Sequence, residues 1–422
     1  MKYFYSILFI FLSLKSFCQN YHLEKPKELK YLDLIIERPK EPPTFTADLI
    51  LPKNLIIKTI VSDDGLQEYD PTGKIVQELK NTDFYKTKTT YTYNKNILVE
   101  KVITIKGDKE KIAQAQEQMG NREKIRLNAD GEAPYTTIVL EADDREYINK
   151  VNLDKKNTII GFSYKEFYVK GPKKEVRSDN SYEVIYNGNQ VSEIRGTQKS
   201  EKYFYTGKLL TKKVCINVPK EPSSQTTTET YFYQYDGKQN LVSIGLSKKY
   251  RLYENAWEES KRTLDSAGYD TDNRVIWHGL KGRFTTFKYD QNNNVTESVY
   301  TNYNELDSKK EYTYNTENEV TEIRLTNYKM LRNGIAPVFT QTFLYENHLL
   351  KEIQNSNNSK VVYEYNKNGL ITKISRYNVD PSGTNKRGDN VEYKSSETTF
   401  TWNGKTMTVE AKYRQPVIYT FY

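Results

Sequence analysis

The chain has 422 residues, with 63 Lys and Arg against 55 Asp and Glu, a formal net charge of +8, and 36% apolar residues. Its charges of both signs are spread along the sequence, which reads as a solvated surface and argues against a nucleic-acid site. With so modest an apolar share, a core requires regularly patterned burial, and the 36 Tyr point to strands, where this side chain packs its ring and keeps its hydroxyl near water.

The N-terminus reads as a secretory signal. Lys2 precedes an apolar run over 3–14 that is too short to span a membrane, and Ser16-Phe17-Cys18 predicts cleavage before Gln19. The alternative is a lipoprotein acylated on Cys18. Loss of residues 1–18 removes Lys2 and Lys15 and no acid, so the formal charge falls from +8 to +6. One cysteine, Cys215, then remains, which rules out an intramolecular disulfide. No later stretch is apolar and long enough for a transmembrane helix, and the predicted strands carry too many charges to line the lipid face of an outer-membrane barrel.

Residues 19–60 form a different text, with apolar runs broken by Pro39, Pro42, Pro43 and Pro52. Proline confines such pieces to edge strands or extended chain, and the region is expected to be an arm that packs on the strand array or caps its first edge. A repeat domain is expected over 61–422. Its unit is clearest in FKYDQNNNVTESV and EYTYNTENEVTEI, within 287–323. Two aromatics at i and i+2 share one strand face, a polar Asn- or Asp-containing turn comes next, and an aliphatic residue opens the return strand. Variants occur at 68–79, 91–102, 151–162, 182–194, 203–214, 231–244, 268–277, 343–353, 363–374 and 400–409. The interruption at 106–127 is rich in helix formers and predicts a helix over about 108–119.

Turn geometry predicts the pairs Tyr186–Val191, Tyr289–Val295, Tyr314–Val320, Tyr365–Leu370 and Trp402–Met407, with the aromatic and aliphatic members buried on one face. Val320 and Ile323 are an odd number of residues apart, so a bulge at Thr321-Glu322 is needed to keep both on that face. Short polar links such as Thr301 to Lys310 contain no crossover helix and predict antiparallel neighbours. The expected fold is all-β: a long antiparallel meander of stacked hairpins, curled or barrel-like, with one short helical insertion.

These units resemble the tyrosine–aspartate (YD) repeats of rearrangement-hot-spot and teneurin proteins, with the pair kept at Tyr69-Asp70, Tyr235-Asp236, Tyr269-Asp270 and Tyr289-Asp290. The resemblance implies a sheet of hairpins that coils into a shell. This chain is far shorter than the large members of that family and lacks their regular glycine after the second strand.

Candidate sites are few. Asp380-Pro381-Ser382-Gly383 and Asp70-Pro71-Thr72-Gly73 match one half of the paired motif of the self-cleaving core in those shells, and each also reads as a turn. Asp290-x-Asn292-x-Asn294 and Asp270-x-Asp272 alternate oxygen ligands as calcium loops do, but lack the glycine and distal Glu. Arg387-Gly388-Asp389 matches an adhesion triplet, and His22, His278 and His348 are scattered without metal-ligand spacing. No catalytic residue, metal site or cofactor is indicated. Tyrosines outside the repeat, Tyr250, Tyr253, Tyr300, Tyr303 and Tyr328, are the contact candidates for a glycan, an extended peptide or an envelope protein. The favoured reading is an exported, non-enzymatic binding or scaffold module of the bacterial cell envelope, located in the periplasm, at the surface or outside the cell. The other readings are a carboxylate-dependent glycan hydrolase and a toxin-delivery or immunity component. The sequence leaves ligand identity and oligomeric state open.

Overall fold

The computed structural model describes residues 25–42, 55–82, 84–115, 117, 144–170, 173–218, 226–253, 256–303, 305–330, 337–384, 390–412 and 414–422. The expected signal at 1–18, the end of the expected helix and Arg387-Gly388-Asp389 lie outside them. The described residues contain 26 strands in one antiparallel sheet, the all-β meander of hairpins that the repeat implies. Pairing joins chain neighbours, and the last strand, Val417–Phe421, pairs with the first, Ile57–Ser62. That first strand, which begins inside the stretch expected to be an arm, also pairs with Gly65–Tyr69 and so has partners on both sides. The helical insertion is present over 109–115, with Asp108 capping it through the Lys111 N–H at 3.2 Å and Ile112 fully buried. The chain divides into two compact units, one of residues up to 34, 79–203 and 215–226, the other of 35–78, 204–214 and 227–422.

The hairpin turns come in two kinds. Tyr186 pairs with Val191 and Trp402 with Met407 across two-residue turns. The longer kind is built by an Asp or Asn side chain. The Asp290 carboxylate accepts the N–H of Asn292 at 2.8 Å and of Asn294 at 2.9 Å, while Asn293 takes a left-handed φ of 66°. Asn315 and Asn366 do the same. This corrects one expected pair. The Asn366 carboxamide captures the Leu370 N–H at 3.1 Å, so Leu370 belongs to the turn and Tyr365 pairs with Ile371. The stretch 301–310, expected to be a link, is mostly strand, with the reversal confined to the turn after Asn302. Asp70-Pro71-Thr72-Gly73 is a turn, whereas Asp380 and its successors lie in the strand Ile371–Thr384 at a register irregularity.

The bulge expected from the odd spacing is there. Thr313 pairs with Glu322 and Tyr314 with Val320, which leaves Thr321 as the extra residue. The same offset occurs after Tyr289 and Tyr365. It turns Val295 and Ser298, or Ile371 and Ile374, onto one covered face, where all four are buried. Of the two aromatics, the first is the buried one (Phe287, Tyr312 and Tyr363), while Tyr289, Tyr314 and Tyr365 are half-buried.

The half-buried tyrosines keep the array together. Tyr289 donates its hydroxyl to the Val275 carbonyl at 2.7 Å, Tyr314 to Val295 at 2.8 Å and Tyr365 to Leu350 at 2.9 Å. Tyr186 reaches Ile159, Tyr235 reaches Leu210 and Tyr269 reaches Leu241, while the Trp402 indole N–H takes the same role toward Ile371 at 2.7 Å. The acceptor belongs to the preceding hairpin and lies where the ladder between hairpins has run out. Val295, for instance, is two residues beyond the pair Glu297–Glu311, and Val275 two beyond Trp277–Thr286. The hydroxyl thus replaces the missing ladder bond. Burial raises the pKa of Tyr314 and of Tyr365 to about 12, so both hydroxyls remain donors at neutral pH.

The opposite face carries charges. Lys288, Glu297, Lys309 and Glu311 form a run of ion pairs of 2.8–2.9 Å across three strands, and Lys373 pairs with Glu364 at 2.6 Å.

The arm is anchored on covered positions in each unit. In the first, the 3-10 helix Lys27–Leu32 buries Leu29 and Leu32, and Lys25 Nζ lies 2.5 Å from the Glu201 carboxylate. Lys199 at 2.9 Å and the Tyr203 hydroxyl complete the surroundings of Glu201. Burial alone would raise its pKa, but Lys25 and Lys199 hold it at about 2. In the second unit, Ile36 is buried, and Glu41 accepts from Lys310 Nζ at 2.8 Å and from the Tyr312 hydroxyl at 2.7 Å.

Two outcomes are expected. Tyr289→Phe keeps the ring and deletes the clamp, so it costs about 0.5–1.5 kcal/mol and raises amide exchange around 275–289, read by hydrogen-exchange mass spectrometry. Glu201 has a folded pKa of about 2, below its ordinary 4.5, so its stabilisation is full above pH 4.5 and is lost as pH falls toward 2. Glu201→Gln therefore lowers stability by about 3 kcal/mol at pH 7, and denaturant midpoints should show the gap to the unmodified protein closing between pH 4.5 and 2.

Candidate functional site

The covered face obeys a rule that makes its exceptions visible. Three residues after the aliphatic that opens a bulged return strand comes a second covered position. It is Ile194, Ile244, Ile323, Ile353 or Ile374 in five hairpins, all buried. Polar residues stand there at Glu78, Lys101, Lys213, His278 and Ser298. Four of these are partnered by their surroundings. Glu78 accepts from Gln67 at 2.9 Å, Lys101 and Lys213 lie over the rings of Tyr91 and Tyr231, and Ser298 hydrogen-bonds Glu41. At His278, 5% exposed, Nε2 lies 3.0 Å from the Asp265 carboxylate while the buried Nδ1 has no partner among the described residues. Asp265 is on the adjacent strand Ala256–Tyr269, and the bulge at Ile276 turns His278 to the same face as Val275.

From His278 the covered face runs two residues to the end of the sheet opposite the Asp and Asn turns. His278 stands opposite Thr285, and Thr285 opposite Tyr300. Two residues farther out the row is Leu280, Arg283, Asn302. Here Leu280 and Arg283 are exposed and Asn302 is half-buried. The Arg283 guanidinium sits 4.5 Å from the centre of the Tyr303 ring and also donates to its hydroxyl at 2.5 Å. Tyr303 is 66% exposed and adopts a left-handed φ of 50°. Beside it, the 3-10 helix Tyr328–Met330 carries Lys329, whose hydrogen bond to Asp307 at 2.5 Å raises its pKa. Met330 and Leu306 are exposed close by in sequence.

Three of the five expected contact tyrosines, Tyr300, Tyr303 and Tyr328, thus belong to one end of one unit. The other two stand at the same end of that unit but several residues farther out along the strands. Tyr250 and Tyr253 lie at the tip of the hairpin Leu241–Tyr253 with Ala256–Tyr269, where Tyr250 stands opposite Glu258 and hydrogen-bonds it. Asp265, His278 and Arg283 were not legible as site residues. The repeat copy read at 268–277 stops one residue short of His278, and extending it by the spacing of its neighbours would have exposed the His in an isoleucine position.

The alternating oxygens of the turns are fully employed. In addition to the backbone bonds, Asp290 accepts from the Asn294 amide at 2.9 Å, and Asp270 accepts from Arg274 at 2.7 Å. Hydrogen bonds within the turns hold the carboxyls of Asp70, Asp154 and Asp236 below the ordinary range. Such carboxylates build the loop rather than wait for a cation.

No protein-family model matches the chain, and no curated protein matches it. Among solved structures it is similar to the crystal structure of a porin-like protein from Bacteroides uniformis ATCC 8492, at 11% identity over 68% of this chain and 94% of that one, with a TM-score of 0.19. A likeness at that score carries no argument about fold or function.

Proposed function

We propose that the chain is an exported, non-enzymatic repeat module of the YD kind that serves the cell envelope by binding a ligand at the Arg283–Tyr303 end of its second unit. The observation that carries this reading is the contrast among tyrosines. The second aromatics of the repeat spend their hydroxyls on backbone carbonyls, while Tyr303 is exposed and its ring and hydroxyl meet the Arg283 guanidinium. An exposed aromatic ring with a stacked guanidinium offers both an apolar face and donors, the usual make-up of a binding hot spot. The signal-like N-terminus supports export.

The hydrolase reading needs two neighbouring carboxyls, one with a raised pKa. Among the described residues, every carboxyl with a resolved shift moves down, with hydrogen bonds and cationic partners outweighing burial. That favours binding over acid catalysis.

The test is co-sedimentation of the purified chain, lacking 1–18, with isolated peptidoglycan sacculi, which present both sugar and peptide. The unmodified protein should pellet with the sacculi. Tyr303→Ala should weaken binding about tenfold, or about 1.4 kcal/mol, without moving the melting temperature. Failure of the unmodified protein to bind would overturn the envelope-polymer reading, and equal binding by Tyr303→Ala would remove the site from it.

A further inference from the structure

We propose that the covered face behind Arg283 and Tyr303 contains a buried subsite, centred on His278, that accepts a hydroxyl or acetamido N–H of a sugar. The inference deepens the proposed binding function and rests on it. Three observations meet at this residue. It occupies a position that is isoleucine in five hairpins of the same array, so packing alone would be satisfied by an aliphatic side chain. The carboxylate of Asp265, 3.0 Å from Nε2, can only accept, so Nε2 carries the proton and fixes the tautomer. In the neutral ring Nδ1 is then a buried acceptor that no donor among the described residues reaches. A buried acceptor left unmatched costs free energy that the other polar exceptions to the repeat avoid by pairing internally. A residue kept there against packing and against hydrogen-bond satisfaction is explained by a donor that arrives from outside.

The path and the chemistry narrow the donor. Leu280 and Arg283, two residues farther out on the same face, are exposed, so the subsite lies one step behind exposed side chains at that end of the strands. Tyr300 in the same row and Tyr303 at the end supply aromatic rings, and sugars combine ring faces that stack on aromatics with hydroxyls that donate. An extended peptide would instead add to a free strand edge, and the first strand of this sheet is already paired on both sides. A single fixed acceptor beside aromatic faces therefore fits a glycan end better than a peptide strand.

The experiment uses the mature-length chain and two soluble probes, the N-acetylglucosamine tetramer and a peptidoglycan stem peptide. With only three histidines in the sequence, nitrogen-15 NMR resolves the ring nitrogens of His278. The tetramer should shift Nδ1 of His278 toward its hydrogen-bonded position while leaving Nε2 in place. The paired substitution Asp265→Ser with His278→Ile restores the aliphatic rule and removes the unpaired acid, so it should fold with an unchanged circular dichroism spectrum and bind the tetramer at least tenfold more weakly. His278→Gln, whose amide oxygen can still accept, should recover part of that loss. An Nδ1 resonance unmoved by saturating tetramer, or tetramer affinity unchanged in the paired variant, would overturn the subsite; so would binding of the stem peptide alone. If Tyr303→Ala abolishes tetramer binding while the His278 variants do not, the exposed end stands as the binding site and the subsite falls.

Discussion

The structure depends on one hydrogen bond used again and again: an aromatic donor reaching back to a carbonyl of the preceding hairpin. A hairpin by itself is marginal in water because two strands bury too little. Adding a second hairpin helps only if its register is held to the end of the shared ladder, and here the ladder stops short, two residues before the opening aliphatic of the return strand. The hydroxyl of Tyr289 or Tyr314 closes that gap at a fixed distance from the ring that packs beside it. The indole of Trp402 does so with different chemistry and the same direction of donation, which shows that the requirement is for a donor on a rigid planar arm.

The Asp or Asn after that aromatic is the second half of the device. Its side chain gathers two backbone N–H groups and makes the five-residue turn, and neighbouring turns are tied in series, as when Asn292 and Asn294 both donate to Asn318. The bulge next to the turn returns two aliphatic residues to the same face, so the next hairpin meets a continuous covered surface. Clamp, turn and bulge each compensate for a defect that another creates, and this accounts for a repeat in which the Tyr–Asp order persists while spacing and composition drift.

An array built on such a rule makes its own departures informative. Isoleucine would serve at position 278, and the array holds a histidine whose second nitrogen has no partner among the described residues. Glu41, by contrast, enters the covered face as a charge but meets Lys310 and Tyr312, whose hydrogen bonds outweigh burial and hold its carboxyl below the ordinary range. Polar groups at these repeat positions thus divide into those partnered by the sheet or the arm and the one ring nitrogen of His278 without a partner among the described residues. The exposed end with Arg283 and Tyr303 lies where repeats turn without the Asp or Asn device, so its residues are free of the constraint that makes the other end uniform.

The sequence by itself determined the class of structure. Aromatics at alternate positions, the Asn- and Asp-rich turns, the odd spacing of Val320 and Ile323 and the absence of crossover helices together require bulged antiparallel hairpins, because the period of a strand and the reach of a turn are local properties. It also singled out Tyr300, Tyr303 and Tyr328 as lying outside the repeat. It misplaced the partner of Tyr365, since whether a side-chain amide captures a backbone N–H within the turn depends on the loop that forms. It could not show which of the two aromatics is buried, that the second one donates to another hairpin, or that Asp265 meets His278. Those facts belong to the tertiary structure because they join residues whose distance is set by the register between strands, and register is a property of the assembled sheet rather than of any one segment.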